Sequence, residues 1–120
     1  MKIAFLFPGQ GAQVVGMGKD FYNSFSIAKE VFQEADDILG RNLSSIIFNG
    51  PESTLTETKN SQTGIYVVSV AILRVLDKLF PELKPCFCAG LSLGEYTALT
   101  ASDRLSLADG IILVQNHPCE

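Results

Sequence analysis

Apolar positions along this chain fall into short unbroken runs and longer stretches at helical spacing, and the two kinds alternate. Residues 2–7, Lys2-Ile3-Ala4-Phe5-Leu6-Phe7, form a continuous apolar run, the pattern of a buried parallel strand. The run breaks at Pro8-Gly9-Gln10-Gly11-Ala12-Gln13, a tight turn at the strand's carboxyl end. Ala28, Phe32, Ala35 and Leu39 then recur with the period of one helix face, and Gly40 is placed to stop that helix. A short apolar stretch from Leu43 to Phe48 ends at Asn49-Gly50-Pro51. Thr54-x-x-Glu57 has capping-box spacing but no apolar run behind it. The longest helix is predicted over 61–79, with Val68, Ile72, Val75 and Leu79 on one stripe facing a sheet and Pro81 marking its end. Residues 85–89 read as a second strand, and 95–101 as the helix that follows it. Leu105-Ser106-Leu107-Ala108-Asp109 combines a capping box with a hydrophobic staple, opening a last helix through Val114. Strand and helix in alternation predict an α/β layer with parallel pairing.

Between the second strand and its helix lies Gly90-Leu91-Ser92-Leu93-Gly94, a G-x-S-x-G pentapeptide. At a sharp strand-to-helix turn this spacing serves a nucleophile elbow, because flanking glycines let backbone crowd a serine whose Oγ stands exposed. Ser92-x-x-Glu95 is equally the spacing of a capping box, which would merely start a helix. The first loop has two readings as well. One is an ordinary strand-to-helix turn. The other is a backbone N–H donor beside that of Leu93, placed to receive a tetrahedral oxyanion at the sheet edge where open α/β folds bind ligands. Gly9-Gln10-Gly11-Ala12-Gln13-Val14 lacks the third glycine of a dinucleotide fingerprint, so that class is disfavoured.

Taken together, Phe7-Pro8-Gly9-Gln10-Gly11, Gln62 and Gly90-Leu91-Ser92-Leu93-Gly94-Glu95-Tyr96 resemble the amino-terminal part of the malonyl-CoA:acyl carrier protein transacylases, from Met1 to about Val114. The resemblance implies an α/β, parallel-sheet, α/β-hydrolase-like acyltransferase core. It implies that Ser92 attacks the thioester of malonyl-CoA, and that the phosphopantetheine thiol of acyl carrier protein takes the malonyl group from the acyl-enzyme. By the same resemblance the backbone N–H groups of Gln10 and Leu93 form the oxyanion hole, and Gln62 lines the pocket; by position alone Gln62 reads as a solvated first-turn residue. Thr63 stands where the pattern usually has proline, Leu91 where it commonly has histidine, and His117 where it has the arginine that clamps malonate. The family's catalytic histidine and its small ferredoxin-like subdomain lie in a downstream region, so the core is expected to be incomplete, with 1–120 one partial domain. A frameshift or premature stop after about Val114, leaving 115–120 as an aberrant tail, is the expected cause, with a chain naturally of this length as the alternative. His117, the only histidine, is either a frayed terminal residue or a substitute general base. A serine esterase of α/β-hydrolase type and a non-catalytic remnant are the alternatives; the first loop lacks the HGGG-type pattern of lipases.

Composition adds limits. A chain of 120 residues with 47% hydrophobic content supports one ordered domain with a modest core. The net charge of -4 and scattered Lys and Arg disfavour a nucleic-acid surface. The opening apolar run is too short for a signal peptide, and 65–72 too short for a membrane span. Cys86, Cys88 and Cys119 make no disulfide framework; Cys86 and Cys88 are expected to pack as small hydrophobes on one strand face, and the chain to be cytoplasmic. C-x-C with one histidine is too little for zinc, and neither metal nor cofactor is expected beyond the coenzyme A thioester as substrate. This chain by itself is expected to show little or no transacylation, because a serine hydroxyl needs an adjacent base. Multiple turnovers of malonyl-CoA onto carrier protein by the purified chain, lost in Ser92→Ala, would contradict that expectation.

Overall fold

The computed structural model describes residues 2–116. In chain order the elements are β1 (Ala4–Phe7), α1 (Lys19–Ser24), α2 (Ser26–Leu39), α3 (Leu43–Asn49), α4 (Glu52–Thr56), α5 (Thr58–Leu79), β2 (Phe87–Gly90), α6 (Leu93–Ala101) and α7 (Leu107–Gln115). The two strands pair in parallel, Ala4 opposite Phe87 and Phe7 opposite Gly90. Parallel pairing needs a long crossover, and the five helices between β1 and β2 provide it.

The core is mainly helix on helix. Ala28, Phe32 and Ala35 of α2 are buried as their spacing predicts, with Leu39 partly buried and Val31 added to the buried set; α2 packs on α5, and Gly40 ends α2 at φ 67, a conformation glycine adopts without a Cβ penalty. Tyr22, Phe32 and Phe48 form an aromatic cluster, with Phe48 5.0 Å from each of the other two ring centroids. The 43–48 stretch is helical, with Leu43 and Ile47 inward. Its amino end is held by Asn42, whose Oδ1 accepts from the Ser45 N–H, and by Asp36, which accepts from both the N–H and Oγ of Ser44.

Four expectations change. The 2–7 run is not a buried strand: β1 alternates, Phe5 and Phe7 partly covered, Ala4 outward and Leu6 74% exposed. A two-stranded sheet leaves one side of β1 without a covering layer, and an apolar groove of about 450 Å³ lies between β1 and Ile65, Val68, Ile72 and Leu76 of α5. The Thr54-x-x-Glu57 box caps nothing: Thr54 lies inside α4, and Glu57 is the backbone junction between α4 and α5. In α5 the single stripe gives way to burial all round from Asn60 to Val68, where α2, α4 and α7 enclose it; Val75 remains buried, while Leu79 near the open end is half-exposed. Cys86 precedes β2 and is exposed, its N–H donating to the Ile3 carbonyl, so only Cys88 has the partly covered position expected of both. Cys119 and His117 lie outside the described residues.

The last helix follows its sequence signal. Ser106 Oγ accepts from the Asp109 N–H at 3.1 Å and Leu107 is buried. Behind it, Tyr66 Oη and Thr100 Oγ1 share a hydrogen bond of 2.6 Å. Thr100 donates its one proton to the Tyr96 carbonyl at 2.9 Å, so Tyr66 is the donor of the pair. Burial pushes the Tyr66 phenol above its ordinary value, against the lowering by that hydrogen bond, and keeps it neutral. Gly110 passes so close that a Cβ there would overlap Tyr66 Oη. Gly110→Ala is expected to lower the urea midpoint, since overpacking of about 1–3 kcal/mol exceeds the helix-propensity gain of about 1 kcal/mol. An unchanged or raised midpoint would show that Tyr66 has room to move.

Candidate active site

β2 ends at Gly90, two residues lead round a bend, and α6 starts at Leu93. Ser92 holds that bend at φ 55, ψ -111, a conformation L residues rarely adopt. The capping-box alternative fails here: Ser92 is the residue before the helix, yet its side chain makes no capping bond to the first turn. The backbone turns through the Gly94 N–H to the Leu91 carbonyl at 3.1 Å and the Glu95 N–H to the Ser92 carbonyl at 3.0 Å.

The flanking glycines are set by contact. A Cβ on Gly90 would overlap the backbone of Gly94, with Gly94 Cα at 2.6 Å. A Cβ on Gly94 would overlap the Phe7 carbonyl oxygen, and one on Gly9 would stand 3.2 Å from the Leu91 carbonyl oxygen. The end of β1 and its loop are thus packed against the serine bend, and both predicted oxyanion donors sit on the segments that meet there.

Leu93 is buried and begins α6, so its N–H has no acceptor within the helix and carries the positive end of the helix dipole. In the first loop the Gly11 N–H donates to Gln13 Oε1 at 2.8 Å and the Ala12 N–H to the Gly9 carbonyl at 3.3 Å. The Gln10 side chain is exposed but anchored: its Nε2 donates to Thr58 Oγ1 at 3.3 Å, and its Oε1 accepts from Gln62 Nε2 at 3.4 Å. Gln62 is 4% exposed, so the solvated first-turn reading is wrong; α5 carries it inward to the loop. Leu91, beside the serine, is 83% exposed. Cys88 is the nearest thiol along the chain; burial pushes its pKa up, which favours the protonated thiol.

The structure therefore brings Gln10 to Gln62, and the loop of Gln10 to the segment of Ser92 and Leu93. His117 is outside the described residues. Reasoning from sequence missed Thr58, which holds Gln10, and the group Arg41, Asn60, Thr63 and Gln115 behind Gln62. These residues come from α5, α7 and the loop between α2 and α3, and no local pattern marks them. Among the described residues no cluster of His, Cys, Asp or Glu could hold a metal ion, and no helix is long and apolar enough to cross a membrane.

Fold and bend together are those of an acyl transferase domain, and the chain belongs to that family, whose model matches residues 4–117. It is 46% identical over 116 residues to the malonyl CoA-acyl carrier protein transacylase of Bacillus subtilis, covering 97% of this chain and 36% of that protein. Among solved structures, the acyl-carrier-protein-S-malonyltransferase of Bartonella henselae superposes with a TM-score of 0.91 at 48% identity, over 96% of this chain and 37% of that one. A malonyl-transacylase solved with a type II polyketide acyl-carrier protein superposes with a TM-score of 0.90 at 37% identity, over 96% of this chain and 37% of that one. The chain thus spans about a third of the length of the relatives it matches.

Ser92→Gly is expected to raise stability, because the bend imposes strain of about 1–3 kcal/mol on a residue with a Cβ, more than the roughly 1 kcal/mol of added chain freedom glycine brings. A urea midpoint that falls in Ser92→Gly would show that the bend is relaxed.

Proposed function

We propose that this chain is the nucleophile-bearing portion of a malonyl-CoA:acyl carrier protein transacylase, with an α/β-hydrolase-like core. In this reading Ser92 Oγ attacks the thioester carbonyl of malonyl-CoA and the coenzyme A thiolate departs. The malonyl ester on Ser92 is then attacked by the phosphopantetheine thiol of acyl carrier protein, which releases the serine. The carbonyl oxygen gains negative charge at each attack, and the N–H groups of Gln10 and Leu93 receive it. Fixed donors need no reorganisation as that charge forms, which is where most of their benefit lies.

The observation that carries the reading is the contact between the two chain segments that would supply those donors. A Cβ on Gly94 would overlap the Phe7 carbonyl and one on Gly9 would press on that of Leu91, so the end of β1, its loop and the bend meet closely. Gln62, held on Gln10, borders the same place and offers a neutral amide to the acyl group. The proton of Ser92 must pass to a base. His117 is the one histidine of this sequence; in this reading the base is the histidine that the family carries in its downstream region, which the hybrid below supplies. The names of the relatives support malonate as the acyl group and carrier protein as acceptor.

A hybrid tests the proposal. Residues 2–116 replace the matching segment of the Bacillus subtilis enzyme, and malonyl transfer to carrier protein is assayed. The hybrid is expected to transfer malonate, and Ser92→Ala in it to lose at least about 10³-fold in rate. A folded hybrid that is inactive, or one indifferent to Ser92→Ala, would refute the reading.

A further inference from the structure

We infer that Thr63 is a positioning residue for Gln62: its hydroxyl, tied to Gln115 of α7, fixes the turn of α5 that aims the Gln62 amide at Gln10. The inference rests on the reading of that corner as an acyl-transfer site. Thr63 is fully buried, and its Oγ1 donates to Gln115 Oε1 at 3.1 Å. A threonine hydroxyl inside a helix commonly turns back to a carbonyl of its own preceding turn. Here it reaches across to another helix.

Gln115 Oε1 also accepts from Arg41 Nη2 at 3.5 Å, and Arg41 Nη1 donates to Asn60 Oδ1 at 2.6 Å. Asn60 completes the set through its Nδ2, which donates to the Thr54 carbonyl at 2.9 Å. The short Arg41–Asn60 bond is charge-assisted and the strongest member. Asn60 and Thr63 are three apart in α5, so they share a side of the helix, and Gln62 points about 100° away from Thr63. Two anchors on one side fix how that turn is rotated about its axis. Rotation decides where Gln62 points. Its bond to Gln10 is long at 3.4 Å, so a small rotation suffices to break it.

The test uses the full 120-residue chain, labelled with ¹⁵N, and reads the nuclear Overhauser cross-peak between the Gln62 side-chain amide and Gln10. Thr63→Val keeps the shape and removes the donor; Gln115→Met removes the acceptor from the other helix and leaves α5 untouched. In both, the cross-peak is expected to fall by about half or more, with the remaining amide spectrum unchanged, whereas Thr63→Ser retains it. An undiminished cross-peak in either folded variant overturns the inference. Unfolding of both also overturns it, since the hydroxyl would then support the whole fold and not Gln62. Acylation of Ser92 is not read, so a folded hybrid that fails to transfer malonate would refute the proposed function separately.

Discussion

The arrangement depends on how closely two backbone segments approach. The Phe7 carbonyl lies where a side chain on Gly94 would be, and Gly9 sits against the Leu91 carbonyl. Parallel pairing of β1 with β2 brings the two strand ends level, Phe7 opposite Gly90. Without glycine at 90 and 94 the helix would start farther from the sheet, and Ser92 would have space to relax from φ 55. The strain at the serine and the nearness of the first loop are one constraint seen from two sides.

The helices hold that constraint in place. α5 runs from the Gln10 loop, where Thr58 and Gln62 touch it, back beneath the sheet, and it is buried all round from Asn60 to Val68. Buried polar groups there are satisfied in pairs, Tyr66 on Thr100 and Thr63 on Gln115, which suits a region whose geometry must be single-valued. The sheet is the less protected part. Leu6 and Phe87 stand exposed, and β1 borders an open apolar groove, where parallel sheets are ordinarily covered on both faces.

Much of this was legible in the residues. Gly40 as a helix stop, Ser106 as a cap, and the 90–94 pentapeptide each carry a local physical signature, and the structure follows all three. What failed did so because burial is decided by partners distant in sequence. The 2–7 run looked buried because apolar residues are continuous there, yet exposure depends on whether other strands and helices cover it. The Thr54-x-x-Glu57 spacing met the capping pattern, but tertiary packing put a chain junction at Glu57. Gln62 looked solvated because helix starts usually are; packing around α5 buries it, and the first loop meets its amide through Gln10. The Arg41–Asn60–Thr63–Gln115 group had no sequence signature, since its members meet only after α2, α5 and α7 have packed.

The central proposal is that Ser92, at the strained bend against which the first loop packs, is the residue that takes the acyl group. The most direct measurement is labelling by a serine-directed fluorophosphonate, mapped by peptide mass spectrometry on the native and urea-unfolded hybrid chain that carries residues 2–116 within the Bacillus subtilis enzyme. The account predicts modification at Ser92 in the native chain, faster than at any other serine and faster than at Ser92 once unfolded. Labelling at Ser92 no faster in the native than in the unfolded chain would contradict it.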